Sequence, residues 1–358
     1  MKNIVLFGGA FDPIHNGHIE MARKASAFLS AEVIFIPAVI SVWKSSSVSF
    51  IDKVNMIKLA IEGDKNLSLS EYESTTGKEV NYSIDTVKYF KNLYKDSKIY
   101  FLIGGDQVQK FHLWKDADEL SKLSQIVYFK RPEIEDSENI AKFNMLQIEG
   151  VFSYANSSAI RDLSDLDLPE TVLYYILDKK LYFIPKIASY LSEQRFNHSV
   201  EVAKLAYKIA KNNGINASKA FIAGLLHDIG KEVAVDLKEE IMNKYYEDYK
   251  DLPKFSYHQF VGEYISANEL NIKDNQILEA IKFHATGCGD MGGLSKIIYA
   301  SDKIEPTRSF DSSELINACI HNYEKGFKEV LKANKEYLES NNKNTGNRLT
   351  KACFDKYL

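Results

Sequence analysis

The sequence predicts an α/β domain built on a parallel sheet, followed by a second, mainly helical domain. Short apolar runs alternate with helical patterns through the first half. A glycine-rich turn follows the first of those runs. From about Leu191 onward, helical spacing replaces strand-like runs almost entirely. A length of 358 residues also exceeds what one compact core usually fills.

Ile4-Val5-Leu6-Phe7 reads as the first strand, because an unbroken apolar run suits a strand buried on both faces. Gly8-Gly9 then turns the chain into a helical pattern from about Gly17 to Leu29. Val33-Ile34-Phe35-Ile36 is the second strand and ends at Pro37. Ile99-Tyr100-Phe101-Leu102-Ile103 runs into Gly104-Gly105, and Ile126-Val127-Tyr128-Phe129 ends near Pro132. Buried strands separated by helices are expected to pair in parallel, with a ligand site at their carboxyl ends. Val200, Ala203, Leu205, Ala206, Ile209 and Ala210 recur at helical spacing, as do Ala220, Ala223, Leu225 and Leu226. The seam falls around Leu181-Tyr182-Phe183-Ile184-Pro185, where a proline follows an apolar run. The expected division is a domain over 1–184, a second over 185–340, and a polar tail over 341–358 with at most one weak helix.

Composition excludes several classes of function. The 45 basic residues against 49 acidic ones give a formal charge of -4, which argues against a nucleic-acid partner. Cys288, Cys319 and Cys353 are odd in number and lack CxxC spacing, so free thiols in a reducing compartment are expected rather than a disulfide scaffold. No early basic segment leads into an apolar run, and no stretch reaches the roughly 18 apolar residues of a membrane span. The reading is a soluble, cytoplasmic protein without a membrane partner; homo-oligomerisation stays open.

The first candidate site is Gly8-Gly9-Ala10-Phe11-Asp12-Pro13-Ile14-His15-Asn16-Gly17-His18. Glycines after a strand let backbone approach a phosphate, and the following helix offers unpaired amide hydrogens. His15 and His18 suit donors to phosphoryl oxygens on which charge develops. The spacing is neither GxGxxG nor GxxxxGK[ST], so a dinucleotide dehydrogenase and a P-loop enzyme both fit poorly.

This segment resembles the GGxFDPxHxGH signature of bacterial nicotinate-nucleotide adenylyltransferases, which are HxGH nucleotidyltransferases of Rossmann-like fold. The likeness continues through Asn81-Tyr82-Ser83-Ile84-Asp85-Thr86, Gly104-Gly105-Asp106 with Trp114, Lys130-Arg131-Pro132, and Asn156-Ser157-Ser158-Ala159-Ile160-Arg161. The resemblance covers about residues 1–180. It implies ATP with Mg2+ and nicotinate mononucleotide as ligands, with deamido-NAD and pyrophosphate as products. It further implies that His15 and His18 bind ATP phosphates, that Ser157 and Arg161 grip the triphosphate, and that Gly104 and Asp106 meet the adenosine. Gly8, Gly9, Phe11 and Lys44 complete the nucleotide-binding set. Two departures stand out: Ser41-Val42-Trp43-Lys44 replaces a PPHK-like loop, and Lys53 stands where many members have arginine. Trp43 has two roles open to it, stacking on the pyridine ring or packing the loop.

The second candidate site is a set of imidazoles and carboxylates, ligands that suit iron, manganese or zinc. His227 and Asp228 lie on an apolar helical pattern, Ala223-Gly224-Leu225-Leu226-His227-Asp228-Ile229-Gly230-Lys231. A buried pair of that kind is costly unless partnered or bound to metal. Five of the eight histidines lie between Asn197 and the last residue, and His198, His258, His284 and Asp302 could converge on the pair.

Arg195-Phe196-Asn197-His198-Ser199, Leu225–Lys231, His284-Ala285-Thr286-Gly287 and Ala300–Arg308 resemble the bacterial HD-domain symmetrical diadenosine tetraphosphatases over about 190–330. The likeness implies an all-helical phosphohydrolase domain that cuts diadenosine tetraphosphate into two ADP with two metal ions, iron by association. His198, His227, Asp228 and Asp302 would hold one ion, and Asp228 would bridge to a second held by His258 and His284. Asp228 also counts as catalytic in that scheme. Lys231, Lys303 and Arg308 would neutralise polyphosphate. The expected protein is thus bifunctional; the alternative keeps the transferase and gives the HD domain another nucleotide or only a regulatory role.

Overall fold

The computed structural model describes residues 2–40, 47–78, 80–129, 138–150, 155–341 and 347–358. Two compact units divide the chain: Met1–Asp162 with Leu166–Tyr182, and Leu163–Asp165 with Phe183–Leu358.

The first unit is organised by six strands: β1 (Asn3–Gly9), β2 (Ala31–Pro37), β3 (Leu67–Leu69), β4 (Lys98–Ile103), β5 (Gln125–Phe129) and β6 (Leu146–Ile148). They form one sheet in the order β3-β2-β1-β4-β5-β6, and each neighbouring pair is parallel. Ile4, Leu6, Ile34, Ile36, Phe101 and Ile103 share a core with Ile84, Val87 and Phe90 of a helix over Ser83–Leu93. The alternate residues Val5, Phe7, Val33 and Phe35 point to the opposite face and are buried as well. Both faces are therefore covered, which explains why the strands read as continuous apolar runs. Strand order reverses direction between β1 and β4, so their carboxyl ends flank a crevice suited to a ligand. β1 ends at Gly9 and β4 at Ile103, immediately before Gly104.

Helices of the first unit are labelled α1 (Asn16–Leu29), α2 (Phe50–Ile61), α3 (Ser83–Leu93), α4 (Ser157–Arg161) and α5 (Glu170–Asp178). α1 begins where the glycine turn delivers it, with His15 as N-cap. α5 packs on α2, and the Tyr175 hydroxyl donates to Asp52 Oδ1 at 2.9 Å.

The second unit is helical among its described residues. Its site rests on α6 (Glu193–Asn212), α7 (Ala217–Leu226), α8 (Tyr257–Asn268), α9 (Asn275–Phe283) and α10 (Gly293–Ile304). α6 and α7 cross closely because Gly224 has no side chain: a Cβ there would lie 2.7 Å from the Ala203 Cα. The final helix, α11 (Arg348–Tyr357), corrects the reading of 341–358 as a polar tail. Its Leu349, Thr350, Cys353 and Phe354 are buried on one side, a pattern hidden in the sequence by the polar Thr350 and Lys351. No disulfide joins the cysteines; all three are buried. Among the described residues no helix is long and apolar enough to cross a membrane.

Candidate phosphate-handling and metal sites

In the first unit, the sheet brings the predicted residues to one edge. Gly8 and Gly9 close β1, and a Cβ on Gly9 would fall 2.9 Å from the Phe11 ring. Gly104 follows β4, with Asp106 two residues on; a Cβ at Gly104 would fall 2.5 Å from Asp106 Oδ1. At Gly9 the obstacle is the buried Phe11 ring, so glycine is needed there; at Gly104 it is the end of the exposed Asp106 side chain, which can turn aside. His15 and His18 stack at the N-terminus of α1 with ring centroids 3.6 Å apart, and the His15 N–H donates to His18 Nδ1 at 3.4 Å. Phe11 meets the His18 ring edge-on at 5.0 Å. The imidazoles thus sit at the positive end of a 14-residue helix, where its first N–H groups lack intrahelical partners.

α4 grips the same turn from the far side in sequence. The Ser157 hydroxyl donates to the Pro13 carbonyl at 2.9 Å, and Arg161 Nη1 donates to the Asp12 carbonyl at 2.5 Å. Sequence reasoning passed over Asp12 itself. Its Oδ2 accepts from both the N–H and the hydroxyl of Ser47, each at 2.9 Å, and its Oδ1 accepts from the Tyr182 hydroxyl at 2.9 Å. Lys53 is fully buried, and its ammonium donates to the Ala38 carbonyl at 2.5 Å, just after β2. Burial lowers its pKa against the pull of Asp12 and Glu73. Burial also pushes the Glu73 carboxyl up to about 7, with a Val39 N–H and Lys53 opposing. The loop with Trp43 and Lys44, and Lys130-Arg131-Pro132, lie outside the described residues.

In the second unit the six predicted ligands converge from three helices and from the ends of two more. His198 lies in the first turns of α6, His258 in α8 and Asp302 in α10; His284 caps the end of α9. His227 and Asp228 were expected on a helix, but α7 ends at Leu226 and the pair occupies the turn that follows. Gly230 lets that turn lie against α8, since a Cβ there would collide with the His258 carbonyl and come within 2.6 Å of the Gly262 nitrogen. Three overlapping groups result, each with ligand atoms within 4.8 Å: His198, His227 and Asp228; His227, His284 and Asp302; Asp228, His258 and His284.

Hydrogen bonds fix how the rings face. The Nδ1 atoms of His227, His258 and His284 lie 2.7, 2.7 and 2.8 Å from the carbonyls of Gly224, Phe255 and Ile281. A carbonyl only accepts, so each Nδ1 carries the proton and each neutral ring presents an Nε2 lone pair to the centre. The Nε2 atoms of His258 and His284 face each other at 3.1 Å, with Asp228 Oδ1 at 3.3 and 3.4 Å from them. Among the described residues buried His227 Nε2 has no hydrogen-bond partner; Asp302 Oδ1 and Asp228 Oδ2 are 3.6 and 3.7 Å away, too far for one. Lone pairs and carboxylate oxygens gathered this way repel unless a cation lies among them. The donor set therefore fits divalent metal.

The histidines divide: His258 and His284 favour the neutral ring, whereas at His227 burial is outweighed by Asp228 and Asp302, which raise its pKa. Burial, the neighbouring His284 and Lys231 hold His258 well below the usual histidine range, and burial lowers His284. Burial opposes ionisation of Asp228, but positive charge at His227, His284 and His258 outweighs it and holds the carboxyl well below its usual value; with those rings neutral, a bound cation would have to supply that charge. Asp302 behaves likewise, with Lys303, His198 and His227 overcoming burial.

Basic side chains surround the carboxylates. Lys231 Nζ is 3.2 Å from His258 Nε2, Lys303 Nζ is 2.6 Å from Asp302 Oδ2, and Arg308 Nη2 is 2.9 Å from Asp302 Oδ1. Two further residues escaped sequence reasoning. Arg195 Nη1 donates to Asp228 Oδ2 at 2.8 Å. Glu305, only 2% exposed, places Oε1 3.2 Å from His198 Nδ1. A signal for it existed: Glu305 follows Asp302 by three residues, which puts both carboxylates on one side of the helix end.

A doubly wound sheet with a glycine turn at its switch point, joined to a helical His/Asp centre, is the class of protein defined here. Residues 6–183 match the cytidylyltransferase-like family, and residues 195–307 match the HD domain family. The chain is 34% identical over 316 residues to the probable nicotinate-nucleotide adenylyltransferase/Ap4A hydrolase of Mycoplasma genitalium, covering 86% of this chain and 88% of that one. The like-named protein of Mycoplasma pneumoniae is 26% identical over 348 residues, which is 95% of this chain and 100% of the relative. A probable nicotinate-nucleotide adenylyltransferase of Aquifex aeolicus is 39% identical over 129 residues, 36% of this chain and 76% of that protein. The chain belongs to the family of two-domain nicotinate-nucleotide adenylyltransferase/Ap4A hydrolase proteins.

Proposed function

We propose that the first unit transfers the adenylyl group of ATP to nicotinate mononucleotide, giving deamido-NAD and pyrophosphate, and that the second cleaves diadenosine tetraphosphate symmetrically into two ADP. The observation that carries the first reading is the convergence of Gly8-Gly9, Gly104 and the His15/His18 pair at the sheet's switch point. In this scheme the mononucleotide's 5'-phosphate attacks the α-phosphorus in line, the α–β bridge breaks and pyrophosphate departs. The protein needs no covalent step. It positions the two nucleotides and supplies donors where charge accumulates on the leaving group. His15 and His18 serve as those donors. Ser157 and Arg161 hold the triphosphate and also grip the turn through the Pro13 and Asp12 carbonyls. Gly8, Gly9 and Phe11 shape the crevice, Gly104 and Asp106 meet the adenosine, Lys44 joins the phosphate contacts, and Mg2+ accompanies ATP.

For the second unit, His198, His227, Asp228 and Asp302 would hold one ion, and Asp228, His258 and His284 another; iron is our assignment. The chemistry such ions supply is charge neutralisation at phosphoryl oxygens and activation of water. Lys231, Lys303 and Arg308 rest on the ligand carboxylates or on His258. They are partly exposed cationic ends that would neutralise a polyphosphate brought to the carboxylates.

The test is substrate profiling of the full chain. Pyrophosphate release should require ATP together with a pyridine mononucleotide, the acid being preferred to the amide. No release with either mononucleotide refutes the first assignment. Diadenosine tetraphosphate should yield ADP alone, with about two metal ions per chain. ATP plus AMP as products refutes symmetrical cleavage, and leaves a different nucleotide substrate as the reading to pursue.

A further inference from the structure

We infer that Tyr182, the last residue of the first unit, is a positioning residue for adenylyl transfer, holding the phosphate-facing turn through Asp12. This rests on the transferase reading proposed above.

The turn Asp12-Pro13 leads directly to the His15 cap of α1, so its placement sets where both imidazoles stand. Its backbone carbonyls are taken by α4. Among the described residues, the Asp12 side chain ties the turn to the flanks of α2 and α5 at two points. Ser47, which precedes α2, bonds Oδ2; Tyr182, which follows α5, bonds Oδ1. Since α2 and α5 pack on each other, the three contacts close a ring: turn, α2, α5 and back to the turn.

The backbone shows that this placement is imposed. α5 ends with Lys180 in the left-handed region at φ 50°, and the Leu181 N–H returns to the Ile176 carbonyl at 3.0 Å. Tyr182 is left-handed again at φ 57°, and Phe11, adjacent to Asp12, is left-handed at φ 44°. Aromatic residues adopt that region only where surrounding contacts hold them there. Both ends of the Tyr182–Asp12 bond thus carry local strain. Burial, then Asp12, pushes the pKa of its hydroxyl up. The next residue, Phe183, already belongs to the second unit. The point where the chain leaves the transferase is therefore pinned to the turn that positions its donors.

The experiment uses the full chain with Tyr182→Phe, which removes one oxygen and preserves ring packing. With ATP and nicotinate mononucleotide, kcat should fall about ten- to hundredfold, the scale of sub-ångström misplacement of reacting groups. KM for the mononucleotide should stay within about twofold, a split that general destabilisation does not give. In an Asp12→Ala background the Tyr182→Phe change should have no further effect, because the residue acts only through that carboxylate. An unchanged kcat in Tyr182→Phe, or the same loss in both backgrounds, overturns the inference while leaving the transferase assignment standing. If Asp12→Ala does not fold, the split between kcat and KM in Tyr182→Phe alone decides. A wild-type chain that releases no pyrophosphate overturns both.

Discussion

Replacing Glu305 by Gln tests whether the carboxylate behind His198 sets the affinity of the metal centre. Glu305 is held rigidly: its Oε2 accepts from the Thr307 N–H at 2.6 Å and from the Thr307 hydroxyl at 2.7 Å, leaving Oε1 to face His198 Nδ1 at 3.2 Å. The Thr307 N–H can only donate, so a glutamine must place its amide oxygen there. Its NH2 group then confronts His198 Nδ1, which must give up its proton to accept. That moves the proton to Nε2, the atom needed for metal. Losing a carboxylate that orients a ligand histidine costs about 10- to 100-fold in metal affinity, equivalent to about 1.4–2.7 kcal/mol. The assay is titration of the loaded full chain with a chelator, following bound metal by elemental analysis. The half-loss point should shift by about tenfold or more, with one ion lost before the other. Pyrophosphate release serves as the internal control and should not change. A half-loss point within twofold of wild type would refute the tautomer argument.

Three other outcomes follow from the geometry. Gly230→Ala puts a Cβ against the His258 carbonyl and the Gly262 nitrogen, both backbone; it should destabilise the second unit by about 1–3 kcal/mol and lower bound metal, read by denaturant unfolding and elemental analysis. Asp228→Ala removes the residue shared by two of the three ligand groups, and should abolish metal retention and nucleotide hydrolysis while adenylyl transfer stays within about twofold. Glu73→Gln should stabilise the first unit at pH 8 but much less at pH 5. The folded carboxyl sits at about 7 against an ordinary 4.5, so its stability contribution is present below 4.5 and lost as pH rises through 7. With partial solvent screening, the difference between the two pH values is about 2 kcal/mol, and equal thermal midpoint shifts at both would contradict it.

Much of this architecture can be read from the residues. The first three apolar runs of the sheet that were identified, at Ile4–Phe7, Val33–Ile36 and Ile99–Ile103, lie within β1, β2 and β4. β3 and β6 are only three residues each, too short to show a period. Strand order is set by pairing across long separations and leaves no local signal. The convergence of His198, His227, His284 and Asp302 can be anticipated because each lies in a motif of the resemblance; His258 lies outside those motifs, and the structure places it 3.1 Å from His284. Tyr182 was not legible as a partner of Asp12, because 170 residues separate them and neither shows more than a turn position locally. α11 was misread because its apolar residues are few and dispersed among Arg348, Lys351 and Lys356.

That last helix has a consequence for how the second unit matures. The Thr350 hydroxyl donates to the Thr286 carbonyl at 3.1 Å, the Met291 N–H donates to the Tyr357 hydroxyl at 2.8 Å, and Cys353 packs against Met291. Gln259 grips Thr286 from α8. The segment following His284 is thus clasped by residues synthesised about 60 positions later. During translation every ligand from His198 to Asp302 leaves the ribosome before the clasp exists. Until α11 is made, the segment following His284 lacks these three contacts. A fragment trimmed to the family-matched span of 195–307 would lack the same clasp.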